Sequence, residues 1–208
     1  MPAGSEKLTA ARREEILDAC AQLYEIMPFK KITHAMISQK TSFTRTSIYN
    51  YFRTKEEIFL ALLEREYAEW VADLNALAAR DMPREEFPSA FSALLEKRKC
   101  MLKLMSMNLY DIESGSSLQS LVSFKLVYNS SMLGVRDCLK KHRPDMSDNR
   151  IEKFIYEFYP FLFGVYPYTN ATQKQQEAMA KAGVEYKRLT IAEITLSLVD
   201  DLLGAKQH

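Results

Sequence analysis

The stretch of residues 33–59 constrains this chain more than any other part of the sequence. It is typical of two very short helices separated by a tight polar turn and followed by the start of a long helix. This is the layout of a helix-turn-helix, whose second helix enters the major groove of DNA. Between residues 26 and 55 there is no Asp or Glu, whereas basic side chains recur among hydroxyl and amide groups. Such a surface suits contact with phosphates and base edges. The basic residues of this window are Lys30, Lys31, Lys40, Arg45, Arg53 and Lys55.

The overall composition places this basic window in a folded chain of nearly neutral charge. The chain has 208 residues, of which 47% are hydrophobic, and a net charge of +1. That length is enough to bury a core and to form one or two domains. No run approaches the roughly 18 uncharged apolar residues of a membrane span, and the first residues lack the apolar core of a signal peptide. We therefore expect a cytoplasmic protein with no membrane partner.

The cysteine and histidine residues show no spacing typical of a metal site. Cys20, Cys100 and Cys138 lie far apart, each within an apolar helical pattern, which predicts reduced, buried thiols. The sequence also lacks a Ser-His-Asp or Cys-His arrangement and a Gly-rich phosphate loop. We therefore expect neither an enzyme nor a bound metal or cofactor.

Apolar periodicity predicts an all-α fold. A first helix is expected over about residues 9–27, where Pro28 stops it. Thr33 is expected to cap a second helix, and Thr44 a third helix over about 45–51. A capping box between Thr54 and Glu57 is expected to start a long helix over about 55–80. Later helices are expected over about 83–105, up to residue 142, over 154–168, and over 191–203 with a capping box before it and a glycine at its end.

Several of these residues resemble the DNA-binding domain of TetR-type transcriptional regulators. The match covers about residues 9–65, and its most specific part is the Tyr-x-Tyr-Phe-x-x-Lys-Glu string that begins at Tyr49. Leu23, residues 29–33, Ile37 and Ser38 also carry the resemblance. The resemblance implies an N-terminal three-helix helix-turn-helix domain over residues 1–54. It also implies a helical effector-binding and dimerisation domain over residues 55–208, connected by the helix at about 55–80.

The turn of the motif departs from the family pattern. This chain has Ser42 where the family usually has glycine, and Pro28 where it often has glycine. Because glycine serves where the backbone is constrained, we expect Ser42 to hold a constrained conformation.

The resemblance also implies a set of DNA-contacting residues. Base contacts are expected from the exposed side of the third helix, where Arg45 can read a guanine bidentately and Asn50 an adenine. An alternative for Tyr49 and Tyr51 is a partly structural role in the core. Ile48 is expected to be core, as is Phe52. The full set of expected DNA-binding residues is Thr33, Gln39, Lys40, Thr44, Arg45, Thr46, Ser47, Tyr49, Asn50, Tyr51 and Lys55.

Residues 154–168 carry aromatic side chains on nearly every side of the expected helix. A helix that is apolar all round must bury more than one face, and the last helix, at 191–203, is also apolar on two sides. Two such helices favour a four-helix interface in a two-fold homodimer. The expected interface residues are Phe158, Leu162, Ile194, Leu198 and Leu202.

Methionine and aromatic side chains between residues 101 and 166 favour a pocket for a small effector. Methionine adapts to irregular shapes, and aromatic rings bind flat apolar molecules. Buried tyrosine hydroxyls need partners, which favours an aromatic or lipid-like effector with a polar tip. The alternative is an ordinary core. The expected lining residues are Met101, Met105, Tyr110, Phe124, Tyr128, Met132, Tyr159 and Phe163.

These features favour a ligand-responsive, dimeric repressor that binds a palindromic double-stranded DNA operator. A small apolar or aromatic effector would release it. The alternative is a constitutive or architectural DNA-binding protein without an effector. A drug-sized cavity among the methionine and tyrosine residues would discriminate the two.

Overall fold

The structure, a computed structural model, describes residues 3–204, with the side chains of residues 7–106 and 108–204. The described residues form ten α-helices and no strand, in agreement with the expected all-α fold. The helices are α1 Ala3–Ile26, α2 His34–Ser38, α3 Arg45–Ile48, α4 Lys55–Ala79, α5 Phe87–Glu96, α6 Lys99–Ser114, α7 Leu118–His142, α8 Asp148–Thr169, α9 Gln173–Lys181 and α10 Ile191–Leu203. No helix in the described part of the chain is long and apolar enough to cross a membrane.

The chain forms two compact units. Unit 1 contains the chain up to Glu66 together with Asn108–Tyr128, and unit 2 contains Tyr67–Met107 together with the chain from Asn129 onward. The helices α4, α6 and α7 each contribute residues to both units. Unit 1 therefore extends beyond residue 54, where the sequence places the domain boundary.

The core of unit 1 is an aromatic cluster around Phe59. The ring of Phe59 packs edge-on against Tyr24 of α1, at 5.2 Å between centroids, and against Phe29, at 4.7 Å. All three rings are buried. Edge-to-face pairs at these distances add to the stability that burial already provides. The cluster fixes α1, the short 3-10 turn Phe29–Lys31 and α4 against one another.

Two side-chain hydrogen bonds bring residues 108–128 into unit 1. The Tyr24 hydroxyl donates to Asn108 Oδ1 at 2.8 Å, and the Thr54 hydroxyl donates to the Gly115 carbonyl oxygen at 2.9 Å. Thr54 Oγ1 also accepts the Glu57 amide at 3.1 Å, as the capping box requires. The other half of the expected box is wrong, because the Glu57 carboxylate accepts the amide of Arg53, at 2.9 Å.

Unit 2 is built around Phe91 of α5. Its ring lies 5.9 Å from Trp70 of α4, and 6.1 Å and 5.2 Å from Phe154 and Phe158 of α8. All four side chains are at most 1% exposed. One face of α10, formed by Ile191, Thr195, Val199 and Leu203, is buried, and α10 packs against α5 and α8. Aromatic side chains from residues 154–168 thus form much of this core.

The ends of α10 follow the expected signals. Thr190 accepts the Glu193 amide at 3.1 Å, and the Glu193 carboxylate accepts the Thr190 amide at 2.7 Å, which completes a capping box. Gly204 ends the helix in the left-handed conformation, with φ +68°. Glycine adopts this conformation without the steric penalty that other residues meet.

One expected helix is broken in two, and one helix of the structure was not expected. The expected helix over 83–105 is broken at residues 97–98, where Arg98 hydrogen-bonds Asp73 of α4 at 2.7 Å and also pairs with Glu69. The sequence pattern also did not predict α9. This nine-residue helix buries none of its side chains, so it lacks the apolar face on which periodicity arguments depend.

The two threonine N-caps Thr190 and Thr44 differ in a way that stability measurements can detect. Thr190 accepts the Glu193 amide, whereas Thr44 makes no cap hydrogen bond and instead contacts Ser47 Oγ at 3.1 Å. We expect Thr190→Ala to lower the free energy of unfolding by about 1 kcal/mol and Thr44→Ala by only a few tenths, about 0.3 kcal/mol. Urea denaturation measures both; equal losses would contradict the assignment.

Candidate nucleic-acid interface

The helix-turn-helix is present, and its turn is held by a carboxylate from α1. Both Glu15 carboxylate oxygens bind Ser42, one accepting its backbone amide and the other its hydroxyl, the latter at 3.0 Å. Thr41 supports the same turn, since its hydroxyl donates to the carbonyl oxygens of Ser38 and Phe43. The turn is therefore fixed by side chains that satisfy its backbone groups.

The expected backbone constraint at Ser42 is wrong. In the described residues, positive φ angles occur at Gly183 and Gly204 and at no residue other than glycine. Ser42 therefore needs no glycine-like conformation. Ser42 contributes two donors to the turn, its backbone amide and its hydroxyl, and the Glu15 carboxylate accepts both.

The helix α3 presents its polar side chains in an ordered row. The Arg45 guanidinium donates to the Tyr49 hydroxyl at 3.3 Å. The Tyr49 ring in turn stacks on the His34 ring of α2, with 4.8 Å between centroids and 20° between planes. These contacts join α2 to α3 and hold Arg45 along the outer surface. The helix ends at Ile48, and Asn50 lies in the tightened turn that follows. The backbone amide of Asn50 donates to the Ser47 carbonyl oxygen at 3.2 Å.

Most of the expected DNA-binding side chains lie at the surface of unit 1. Beneath them, Ile37, Ile48 and Phe52 are buried, the last two as expected. Ser47 and Tyr51 are half-buried, and the Tyr51 hydroxyl accepts a hydrogen bond from Arg12 at 3.2 Å. The exposed members are Thr33, Gln39, Lys40, Thr44, Arg45, Thr46, Tyr49 and Asn50. We call these eight residues the recognition surface.

Lys55 differs from the exposed members of the expected set. It is half-buried, its ammonium donates to the Phe29 carbonyl oxygen at 3.1 Å, and it lies 4.0 Å from the centroid of the Phe29 ring. The Glu57 carboxylate also lies at the start of α4, where it accepts the Arg53 amide. The start of α4 thus has its own internal partners, and Lys55 helps to anchor the Phe29 turn.

The structure adds three residues that the sequence reasoning did not select. Arg12 and Arg13 of α1 reach residues 51–52: Arg12 binds the Tyr51 hydroxyl, and Arg13 donates to the Tyr51 carbonyl oxygen at 3.2 Å. Glu14 and Glu15 directly follow this pair of arginines in the sequence, so no charge pattern distinguishes them. His34 is the third. Burial lowers its pKa, the Arg45 guanidinium lowers it further, and Glu56 opposes this shift. Burial and the Arg45 charge therefore both favour the neutral form of the His34 ring.

The expected effector residues are divided between the two units. Tyr110 is 87% exposed, Phe124 is buried and Tyr128 is half-buried, all in unit 1. In unit 2, Met101, Met105 and Tyr159 are buried, Met132 is half-buried, and Phe163 is 37% exposed. The exposure of Tyr110 does not fit its expected place in a cavity wall.

Two polar contacts lie in the interior of unit 2 beside the expected effector residues. Tyr159 and Ser131 hydroxyls are 2.7 Å apart, and both residues are buried. The Tyr67 hydroxyl donates to Met105 Sδ at 3.3 Å. Hydroxyl groups inside an apolar core can orient a polar tip of a bound molecule.

The expected dimer residues lie in two different environments. Phe158 and Leu162 are 0% exposed and belong to the core of their own chain. Ile194, Leu198 and Leu202 are half-buried and lie along one side of α10. On α8 the aromatic side chains that remain exposed are Tyr156, Phe163 and Tyr168.

Comparison with known families assigns both parts of the chain. Residues 16–62 match the model of the bacterial regulatory proteins of the tetR family. Residues 64–203, more than half of the chain, match the model of a tetracyclin repressor-like C-terminal domain. The chain belongs to the TetR family. It is therefore a TetR-family transcriptional regulator, and the families and relatives that it matches are regulators rather than enzymes.

A curated relative agrees with this assignment. The chain is 36% identical over 81 residues to the HTH-type transcriptional repressor Rv1474c of Mycobacterium tuberculosis, a match that covers 39% of this chain. The chain thus spans about two fifths of the length of that relative, 41%.

The solved structures share the fold. FadR of Bacillus subtilis, solved in complex with stearoyl-CoA, gives a TM-score of 0.62 at 11% identity over 93% of this chain and 99% of that chain. FadR of Bacillus halodurans, a fatty acid degradation regulator, gives a TM-score of 0.64 at 12% identity, over 95% of this chain and 97% of that chain.

The Glu15 contact with the turn can be tested by removing the charge. We expect Glu15→Gln to lower the free energy of unfolding by about 1 kcal/mol, because a charge-assisted hydrogen bond to Ser42 is lost. Glu25→Gln, an exposed change on the same helix, is the matched control and should alter stability by less than about 0.5 kcal/mol. Urea denaturation measures both. Equal effects would show that Glu15 does not fix the turn.

Proposed function

We propose that this TetR-family regulator is a dimeric repressor that binds a palindromic operator and is released by a small, largely apolar effector. The observation that carries the DNA-binding part is the recognition surface, in which Arg45 is held outward by Tyr49 while Tyr49 stacks on His34. As a DNA-binding regulator it would act in the cytoplasm, where bacterial DNA lies. The alternative is a constitutive DNA-binding protein that no effector releases.

Within the recognition surface, two kinds of contact have different roles. Arg45, Thr46 and Asn50 are exposed at α3 and the turn after it, where a major-groove helix meets base edges. Lys40, in the turn after α2, is exposed and donates to Gln22 at 3.4 Å, so its ammonium can move to a phosphate. Base contacts specify the sequence, whereas phosphate contacts position the protein.

A binding experiment separates these roles. Selection from random duplex DNA would yield the operator, and fluorescence anisotropy would measure its affinity as salt is varied. We expect affinity to fall by orders of magnitude between low and moderate salt, because bound cations release counterions. Arg45→Ala should relax the preference at one base pair, at a cost of about 1–3 kcal/mol, whereas Lys40→Ala should weaken all sequences alike and reduce the salt slope by about 1.

The control for this experiment is Lys174→Ala, an exposed change on α9, which should leave operator affinity unchanged. Binding that is absent, or that does not respond to salt, would contradict the DNA-binding proposal. An Arg45→Ala variant that lost affinity equally for every sequence would instead reassign Arg45 to the phosphate backbone.

Dimerisation would account for a palindromic operator. A two-fold dimer places two recognition helices about 34–36 Å apart, on successive turns of the major groove. The apolar sides that α8 and α10 leave uncovered support this arrangement: Tyr156, Phe163 and Tyr168 on α8, and Ile194, Leu198 and Leu202 on α10. Phe158 and Leu162 are not included, because they are buried within their own chain.

The effector site is proposed in the interior of unit 2. Met101, Met105 and Tyr159 supply adaptable and aromatic walls, and the Tyr159–Ser131 pair supplies a polar end. The helix α4 contributes Tyr67 and Trp70 to unit 2 and its first twelve residues, 55–66, to unit 1. An effector that prefers one position of α4 would therefore bias the helix-turn-helix, and by linkage DNA would weaken effector binding by the same factor.

A substitution at Met132 tests the effector site. We expect Met132→Trp to fill the site and to abolish ligand-induced release while sparing operator binding. Asn129→Trp, an exposed change on the same helix, should behave as wild type. The measurement is operator anisotropy with stearoyl-CoA, a long-chain fatty acid and a planar aromatic acid as probes, and a coupling of about 1–3 kcal/mol is expected. A solid core in crystal structures of both the free and the DNA-bound protein would favour the constitutive alternative.

A further inference from the structure

The outer side of α8 carries an apolar stripe that runs directly into a cleft. The stripe consists of Tyr156, Pro160, Phe163, Gly164, Pro167 and Tyr168, at the spacing of one helix face. It lies opposite the buried residues of α8, such as Phe154 and Phe158. Residues 160–169 contain no Asp, Glu, Lys or Arg, although the outer side of a surface helix is normally charged.

The cleft lies where α9 folds back over the end of α8. It has a volume of about 350 Å³ and is lined by Pro167, Tyr168, Ala171, Gln175, Met179 and Tyr186. Ala171, Gln175 and Met179 are spaced four residues apart, so they form the inner side of α9 and the turn before it. The apolar walls with a single amide side chain suit an aromatic occupant that carries a polar group.

Two side-chain hydrogen bonds help to hold α9 and the segment after it at this cleft. The Tyr186 hydroxyl donates to the Tyr168 carbonyl oxygen at 2.6 Å, and the Gln176 amide side chain donates to the Ala171 carbonyl oxygen at 2.8 Å. None of the nine residues of α9 is buried. A helix this short is marginal in water unless an apolar face is packed. An occupant of the cleft would provide the missing burial.

The area of the exposed aromatic rings on α8 indicates whether a small molecule or a protein covers the stripe and the cleft. Tyr156 is 78% exposed, Tyr168 74% and Phe163 37%. Since an aromatic side chain buries roughly 150–250 Å², these three rings expose about 300–450 Å², near half of the roughly 800 Å² that a standard interface takes from each partner. The rest of the stripe and the cleft extend this surface. Tyr156 and Tyr168 are about 18 Å apart along the helix, so a small molecule in the cleft would leave most of the stripe in water.

We infer that the cleft receives the Tyr156 side chain of a second copy of this chain. This rests on the proposed two-fold dimer. In a two-fold interface, if residue i contacts residue j, then j contacts i. Gly164 lies near the middle of the stripe, and a Cβ added there would meet nothing within 4 Å, so two α8 helices can approach most closely at this point. Two antiparallel α8 helices that cross there pair Tyr156, eight residues before Gly164, with residue 172, eight residues after it, beside Ala171 and the cleft.

A double-mutant cycle tests this pairing. Tyr156 is highly exposed, so Tyr156→Arg removes no core contact and the variant should fold. We expect Tyr156→Arg to raise the dimer dissociation constant at least about 30-fold, as loss of an interface anchor does. Gln175→Glu alone should have a small effect. The double variant Tyr156→Arg with Gln175→Glu should recover at least about tenfold, because the new charges attract each other across the interface.

The matched control is Tyr110→Arg, since Tyr110 is an equally exposed tyrosine on α6, and it should leave dimerisation unchanged. Sedimentation velocity over a range of concentrations measures all four variants, and far-ultraviolet circular dichroism checks that each is folded. If the Tyr156→Arg variant dimerises like wild type, this inference is overturned while the proposed dimer stands. A double variant whose dimer affinity does not recover has the same consequence. A wild-type monomer at micromolar concentration overturns both.

Discussion

The contact of Phe59 with Tyr24 and Phe29 is the interaction on which the DNA-binding part of the chain depends. The helices α2 and α3 have five and four residues, far too short to be stable by themselves. Their own buried side chains are few, with Ile37 in α2 and Ile48 in α3. They therefore take their position from the larger helices α1 and α4, and Phe59 joins these two helices at the point where the chain enters the motif.

Charge is arranged around this scaffold in a way that the linear sequence hides. Residues 27–54 contain no acidic side chain, yet Glu15 and Glu57 reach the same region from α1 and α4 and bind backbone amides of Ser42 and Arg53. Each carboxylate accepts a hydrogen bond from a backbone amide at a turn, an amide that has no partner within a helix. The outward side retains Arg45 and Lys40. Positive charge therefore remains at exposed side chains of the motif, where it can meet phosphates.

The sequence predicted the features that rest on local signals. Thr33, Thr190 and Gly204 cap helices as expected, since capping depends on a few neighbouring residues. Features that depend on distant residues were missed. The Glu15–Ser42 contact joins residues 27 positions apart, and the break at Arg98 is explained by carboxylates on α4. The choice between the two apolar sides of α8 also required the structure: both sides are aromatic in the sequence, and only packing distinguishes buried Phe158 from exposed Tyr156.

The same helix α8 therefore links the two proposed activities of unit 2. Tyr159 points into the core, where its hydroxyl meets Ser131 at 2.7 Å, and Tyr156, less than one turn earlier, points outward. Protein interiors are close-packed, so an effector that displaces Tyr159 must shift α8 rather than compress it. Any such shift would move Tyr156 by a comparable distance and alter the contact with a second copy. Effector binding beside Tyr159 would then alter the contact that each subunit makes with the other.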